Sequence, residues 1–223
     1  MKNLCSAALL LCVFVALPIV GRANPITVFG TGVDSSGNAL AGGSADPHFT
    51  DNLYDASAVV ISPSNLYPSW TANTSPGDPG SAWIGTADEI RGQSPGGNPY
   101  DFVETFSMAG LDTTTASITG TYWGDDVGYW ELNGNIFGSA DEDWGGTAFT
   151  IDGSSDYFNA GTNTLEFVMT STNLDNYYDG TRLDITSATA DPSGVPDASS
   201  AAVLLSFGLA GLAASRRRFA RAV

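Results

Sequence analysis

"GYWELNGN", Gly128 to Asn135, fixes the reading of the chain's middle. In an extended backbone Trp130 and Leu132 fall on one side, and Tyr129 goes with Glu131 on the other. Asn133-Gly134 is a turn dipeptide that ends the run. Further on, "FNAGTNTLEFVM" (Phe158–Met169) passes from a glycine turn into a second strand. There Leu165, Phe167 and Met169 share one face, while Glu166 and Val168 lie opposite. "YDFVETFSMAG" alternates in the same way, with Phe102, Glu104 and Phe106 on one side and Val103, Thr105 and Ser107 on the other.

The pattern extends outward in both directions. "ITVFGTGVD", "ASAVVIS", "SAWIGTA", "ASITGTYWG", "TAFTID" and "RLDITSATA" read as strands separated by turn signals. No longer window carries an apolar stripe at helical spacing. The crossover helices of a parallel α/β fold are missing. The expectation is all-β: an antiparallel β-sandwich of jelly-roll type over residues 24–190.

The two ends differ from this middle. "MKNLCSAALLLCVFVALPIVGRANP" has the basic start, apolar run and small-residue exit of a secretory signal peptide over residues 1–23. Cleavage by signal peptidase is expected after Ala23. The two cysteines, Cys5 and Cys12, lie inside that segment, so the mature chain would contain none. Residues 191–200 read as a polar linker. "AAVLLSFGLAGLAA" (201–214) reads as a short transmembrane helix, with snorkelling arginines extending its reach. Residues 215–223 form a tail with Arg216, Arg217 and Arg218, whose charge places it in the cytoplasm.

Charge excludes one class of function. Between residues 24 and 194 the only basic residues are Arg91 and Arg182, against 23 acids. Such a surface repels nucleic acid phosphates, so no nucleic acid partner is expected.

The catalytic motifs fail on chemistry. "GQSPG" (Gly92–Gly96) has the spacing of a nucleophile elbow. The residue after Ser94 is Pro95, which has no N–H for an oxyanion hole. His48 is the sole histidine and is expected in a structural role, its ring hydrogen-bonded in a loop. One histidine and no mature cysteine disfavour zinc. The acids Asp125-Asp126, Asp141-Glu142-Asp143, Asp175 and Asp179 could supply oxygens to a structural calcium. An EF-hand is excluded by Tyr177 and Thr186 at two ligand positions. Among the aromatics, Trp123 and Tyr129 are the surface candidates for stacking on sugar rings.

"ELNG" followed by "GTNTLEF" resembles the galactose-binding-like jelly roll that accompanies many glycoside hydrolases. The stretch from "ITVFGTGVDSSGNALAGGSADPHF" to "TRLDIT" resembles the globular domain of PEP-CTERM-type exported bacterial proteins. The order "VPDASS", short span, arginine cluster resembles their sorting signal in its VPDSG form. Ala198 and Ser199 depart from that form. The resemblance implies recognition at Val195, Pro196 and Asp197 by a membrane-embedded exosortase, with the C-terminal segment holding the chain in the membrane until processing. The chain is therefore expected to be an exported, non-catalytic surface or matrix protein without a required cofactor. Two alternatives stand beside it: a carbohydrate-binding module of an extracellular polysaccharide matrix, and a secreted glycosidase.

Overall fold

Long alternating runs become long strands. A computed structural model describes residues 23–88, 100–169 and 179–194, together with Leu205, Ser206 and Leu209. Nine strands occur among them: β1 (Asn24–Pro25), β2 (Ala45–Asp51), β3 (Ala56–Val60), β4 (Ile84–Gly85), β5 (Asp101–Ser107), β6 (Ser117–Leu132), β7 (Asn135–Asp152), β8 (Thr162–Met169) and β9 (Gly180–Ala190). They lie in one compact unit, Ala23–Ser193.

The chain is all-β and every strand pairing is antiparallel. The strands form one hydrogen-bonded sheet, β1-β9-β4-β3-β2-β5-β8-β6-β7, rather than two separate facing sheets. β6 explains why. One of its edges pairs with β7 along most of its length. Its other edge pairs with β9 over residues 117–125 and with β8 over residues 128–132. This split pairing brings the sheet back on itself and nearly closes it.

β6 fuses two runs that read as separate strands, bridging "GDDV" with register shifts. At its end Asn133 (φ 53°) and Gly134 (φ 81°) turn the chain straight into β7. Positive φ at both central residues is the signature of a type I′ hairpin turn, whose twist suits the flanking strands.

Side-chain alternation then builds the core. Phe102 and Phe106 of β5, Trp130 and Leu132 of β6, and Leu165, Phe167 and Met169 of β8 all point inward and are buried. Each such side chain contributes about 1.5–3 kcal/mol relative to exposure. A second, smaller buried cluster holds Ile61, Trp70, Trp83 and Trp123.

Two local expectations need correction. "ITVFGTGVD" is not a regular strand; only Asn24–Pro25 before it is. Its N–H groups are divided between the sheet and a side chain: Ile26 donates to Ala188 O and Thr31 to Leu183 O, whereas Phe29 donates to the Glu104 carboxyl. "ADPHFTD", unread as a strand, is β2, and His48 lies in it rather than in a loop.

The signal segment (1–22), "GQSPG" and the motif residues 195–200 lie outside the described residues. The same holds for residues 201–214 apart from Leu205, Ser206 and Leu209, which are helical. Among the described residues no helix is long and apolar enough to cross a membrane.

Candidate functional site

Adjacent strands β5, β8 and β6 align their outward residues in rows. Asp101, Val168 and Tyr129 stand in one row, and Val103, Glu166 and Glu131 in the next. Thr50 of β2 and Ile136 of β7 extend the second row, and Ser139 of β7 extends the first. The core-facing neighbours fix this arrangement, since residues of one strand alternate between faces. Tyr129 is therefore a partly exposed aromatic set among Asp101, Glu131 and Glu166.

These acids oppose one another. Glu131 and Glu166 are directly paired across β6 and β8, where like charges destabilise. Desolvation, and then the Asp101 charge, raise the Glu131 carboxyl above its ordinary value. Glu166 is raised by desolvation and by the charges of Asp101 and Glu131. The Tyr129 hydroxyl is raised by desolvation and then by Glu131, Asp101 and Glu166. Among the described residues Arg182 is the only Lys or Arg, and it belongs to another region.

That region is where Trp123 lies. Trp123 is 8% exposed, and the Arg182 guanidinium covers its ring at 4.6 Å from the centroid. Arg182 donates to Ser81 Oγ at 2.8 Å, Ala72 O at 2.7 Å and Thr74 Oγ1 at 3.4 Å. Trp70 stacks on Trp83 with centroids 4.0 Å apart and donates its indole N–H to Asp125 Oδ2 at 2.6 Å. Trp123 is thus a core residue, contrary to its reading as a sugar platform. Alternation predicted that Trp123 and Tyr122 face opposite ways, but both sides of β6 are covered at that level: Tyr122 is buried in the main cluster and Trp123 in the smaller one.

The acids weighed for calcium converge in part. Register places Asp125 beside Gly180, next to Asp179, and Gly124 beside Asp143. Asp125 and Asp179 are buried. Among the described residues no three His, Cys, Asp or Glu side chains are grouped to hold a metal ion. The side chains of Asp126, Asp141, Glu142 and Asp175 lie outside the described residues.

Among the described residues, Ser193 N–H donates to Gly110 O at 2.9 Å just before the C-terminal segment. Residues 194–219 match the VPDSG-CTERM motif. The matched stretch contains Val195, Pro196 and Asp197 at one end and Arg216, Arg217 and Arg218 at the other. It matches despite Ala198 and Ser199. The motif supports a sorting signal of the PEP-CTERM type, and with it an exported, surface-directed protein processed by an exosortase. No curated protein and no solved structure matches the chain.

Besides the sorting signal and the tyrosine face, the folded unit holds buried carboxyls that motif reading passed over, Asp46, Asp51 and Glu104 among them. Glu104 is 4% exposed, with its carboxyl accepting from Phe29 N–H at 3.0 and 3.3 Å. Its signal was present in the sequence: a glutamate on the same strand face as Phe102 and Phe106.

Proposed function

We propose that the chain is a non-catalytic protein, processed by an exosortase, whose folded unit binds a neutral extracellular polysaccharide through the Tyr129 face. The sorting motif supports the route to the surface. The observation that carries the ligand is the position of Tyr129: an aromatic ring on an open sheet face, flanked by carboxylates that accept hydrogen bonds from sugar hydroxyls. The same carboxylates repel an acidic polymer. Glu131 and Glu166 stand side by side on one face. Glycosidase carboxylates flank the scissile bond from two sides, so this arrangement favours binding over turnover.

One ring stacks with modest free energy, so retention comes from many copies along one polymer. Affinity electrophoresis of the full chain through gels containing neutral glycans tests the reading. Retardation that Tyr129→Ala diminishes supports it. Mobility identical with and without every glycan overturns it. Release of reducing sugar, lost in Glu131→Gln or Glu166→Gln, would establish the glycosidase alternative.

A further inference from the structure

β2 and β5 are paired only at Thr50–Val103 and Asp51–Phe102. Beyond that point they part, and over the same stretch β2 shifts register against β3, between Ala45 and Thr50. Asp46 holds the distortion in place. Its Oδ1 accepts from the N–H groups of His48 (2.8 Å) and Phe49 (3.2 Å), and its Oδ2 accepts from Gly32 N–H (2.6 Å). The gap is an open cleft of about 480 Å³, within the range of small-molecule sites.

Its lining is polar but not ionic. Thr27, Thr105 and Ser107 are its hydroxyl-bearing residues, Phe29, Pro47 and Phe106 are apolar, and His48 and Glu104 complete the wall. The Phe29 and His48 rings are stacked, centroids 3.8 Å apart and 11° from parallel. His48 Nε2 is buried without a hydrogen-bond partner. Burial, reinforced by the charge of Asp46, pushes the Glu104 carboxyl up to about 9 against the Phe29 N–H, which lowers it. It therefore keeps its proton at pH 7 and has an O–H to donate. Asp46 and His48 of β2 are the titratable groups beside it; the segment Ile26–Val33 brings none.

A buried polar group without a partner is a standing cost, and here such an atom borders a space of ligand size. The lining offers three hydroxyl-bearing residues, no formal charge at Glu104, and a two-ring wall. We propose that this cleft binds a small neutral molecule rich in hydroxyl groups, a single sugar ring or a polyol. The site uses none of the residues of the Tyr129 face and stands independently of the polysaccharide reading.

The full chain is tested with glucose, galactose, N-acetylglucosamine and mannitol by saturation-transfer NMR, up to about 100 mM, well above a Kd of about 1 mM. Because His48 is the only histidine, its imidazole resonances report on the cleft unambiguously. The expected result is transfer to at least one probe, a shift of those resonances, and at least tenfold weaker binding in His48→Phe, which keeps a ring against Phe29. Binding should fall away as pH rises through about 9, and Glu104→Gln, neutral at every pH, should retain it. Tyr129→Ala should leave it unchanged. Absence of transfer from all four probes overturns the proposal. So does binding that His48→Phe leaves intact and Tyr129→Ala abolishes; that outcome places the ligand on the outer face and leaves the polysaccharide reading standing.

Discussion

The Arg182–tryptophan cluster and the Tyr129 face are made of the same kinds of side chain, aromatics and charges, arranged to opposite ends. Around Arg182 three hydrogen-bond acceptors and an indole ring surround one cation. Around Tyr129 three carboxylates surround one phenol, and each raises or is raised by its neighbours. In the first arrangement the charged group has its partners inside the fold, although the Trp123 indole N–H beside it is buried without one. The second is a strained surface that any hydrogen-bond donor relieves. Aromatic content alone did not separate the two. The distinguishing feature is whether the charged group already has its complement inside the fold.

The comparison breaks most easily at Arg182. It is 6% exposed, and hydrogen bonds to charged groups are each worth about 1.5–3 kcal/mol. Arg182→Leu should destabilise the chain by roughly 3 kcal/mol, since it strips the donors from Ser81, Ala72 and Thr74, leaves the buried Ser81 hydroxyl unpaired and uncovers the Trp123 ring. Urea unfolding measures this. A loss below about 1 kcal/mol, the scale of an exposed pair, would show that the cluster is no better satisfied than the outer face.

The turn at Asn133-Gly134, the alternation of β5 and β8, and the all-β class were legible because each depends on neighbours in sequence. "ELNG" and "GTNTL" were legible as a resemblance, and the structure supplies their physical meaning. Asn133 Nδ2 donates to Tyr157 O (2.7 Å) and Asn163 Oδ1 (2.8 Å), and Thr164 N–H donates to Asn133 Oδ1 (2.9 Å). Asn163 Nδ2 in turn donates to Asn159 O and Gly161 O. The paired motifs lock the β6–β7 turn to the start of β8, so they report fold rather than ligand. Asn133→Ala should cost about 2 kcal/mol, from the lost hydrogen bonds and from alanine at positive φ.

The closure of the sheet, the fate of Trp123 and the cleft were not legible. Each depends on which distant strand arrives. Local alternation separates the two faces of β6 but does not say that β9 and the segment around Trp70 will cover the Trp123 side. Nor does it say that β2 will leave β5 after two residue pairs.

The pH dependence from Glu104 is spread over several units rather than read at one condition. Its folded-state value is raised, so between the unfolded value of 4.5 and about 9 the folded state holds a proton that the unfolded state has lost. Stability therefore falls as pH rises across that window, at most by about 1.4 kcal/mol per pH unit for one group. Asp46 and Asp51, also raised chiefly by burial, act in the same sense. Glu104→Gln should flatten the profile between pH 5 and 8 while keeping an acceptor for Phe29 N–H. An unchanged slope in thermal unfolding across that range would assign the dependence to the other carboxyls.

The smallest effect sharpens the comparison best, because its sign is opposite to that at Arg182. Removing a charge from the tryptophan cluster destabilises; removing one from the Tyr129 face should stabilise. Glu131 and Glu166 are directly opposed, and a like-charge pair at that spacing is unfavourable by a few tenths of a kcal/mol up to about 1. Glu166→Gln keeps the side-chain shape and removes the repulsion, so a gain of about 0.5 kcal/mol is expected at pH 7 and low salt. The gain should shrink as salt screens the exposed charges. It should also vanish as pH falls through the raised value of the Glu166 carboxyl, where the original side chain is itself neutral. Urea unfolding of both forms at two salt concentrations measures the difference. A loss of stability would mean that Glu166 is already complemented within the fold, and the contrast between the two regions would collapse. A gain accompanied by weaker retention on a neutral glycan would show that the charge is kept for the ligand at the expense of the fold.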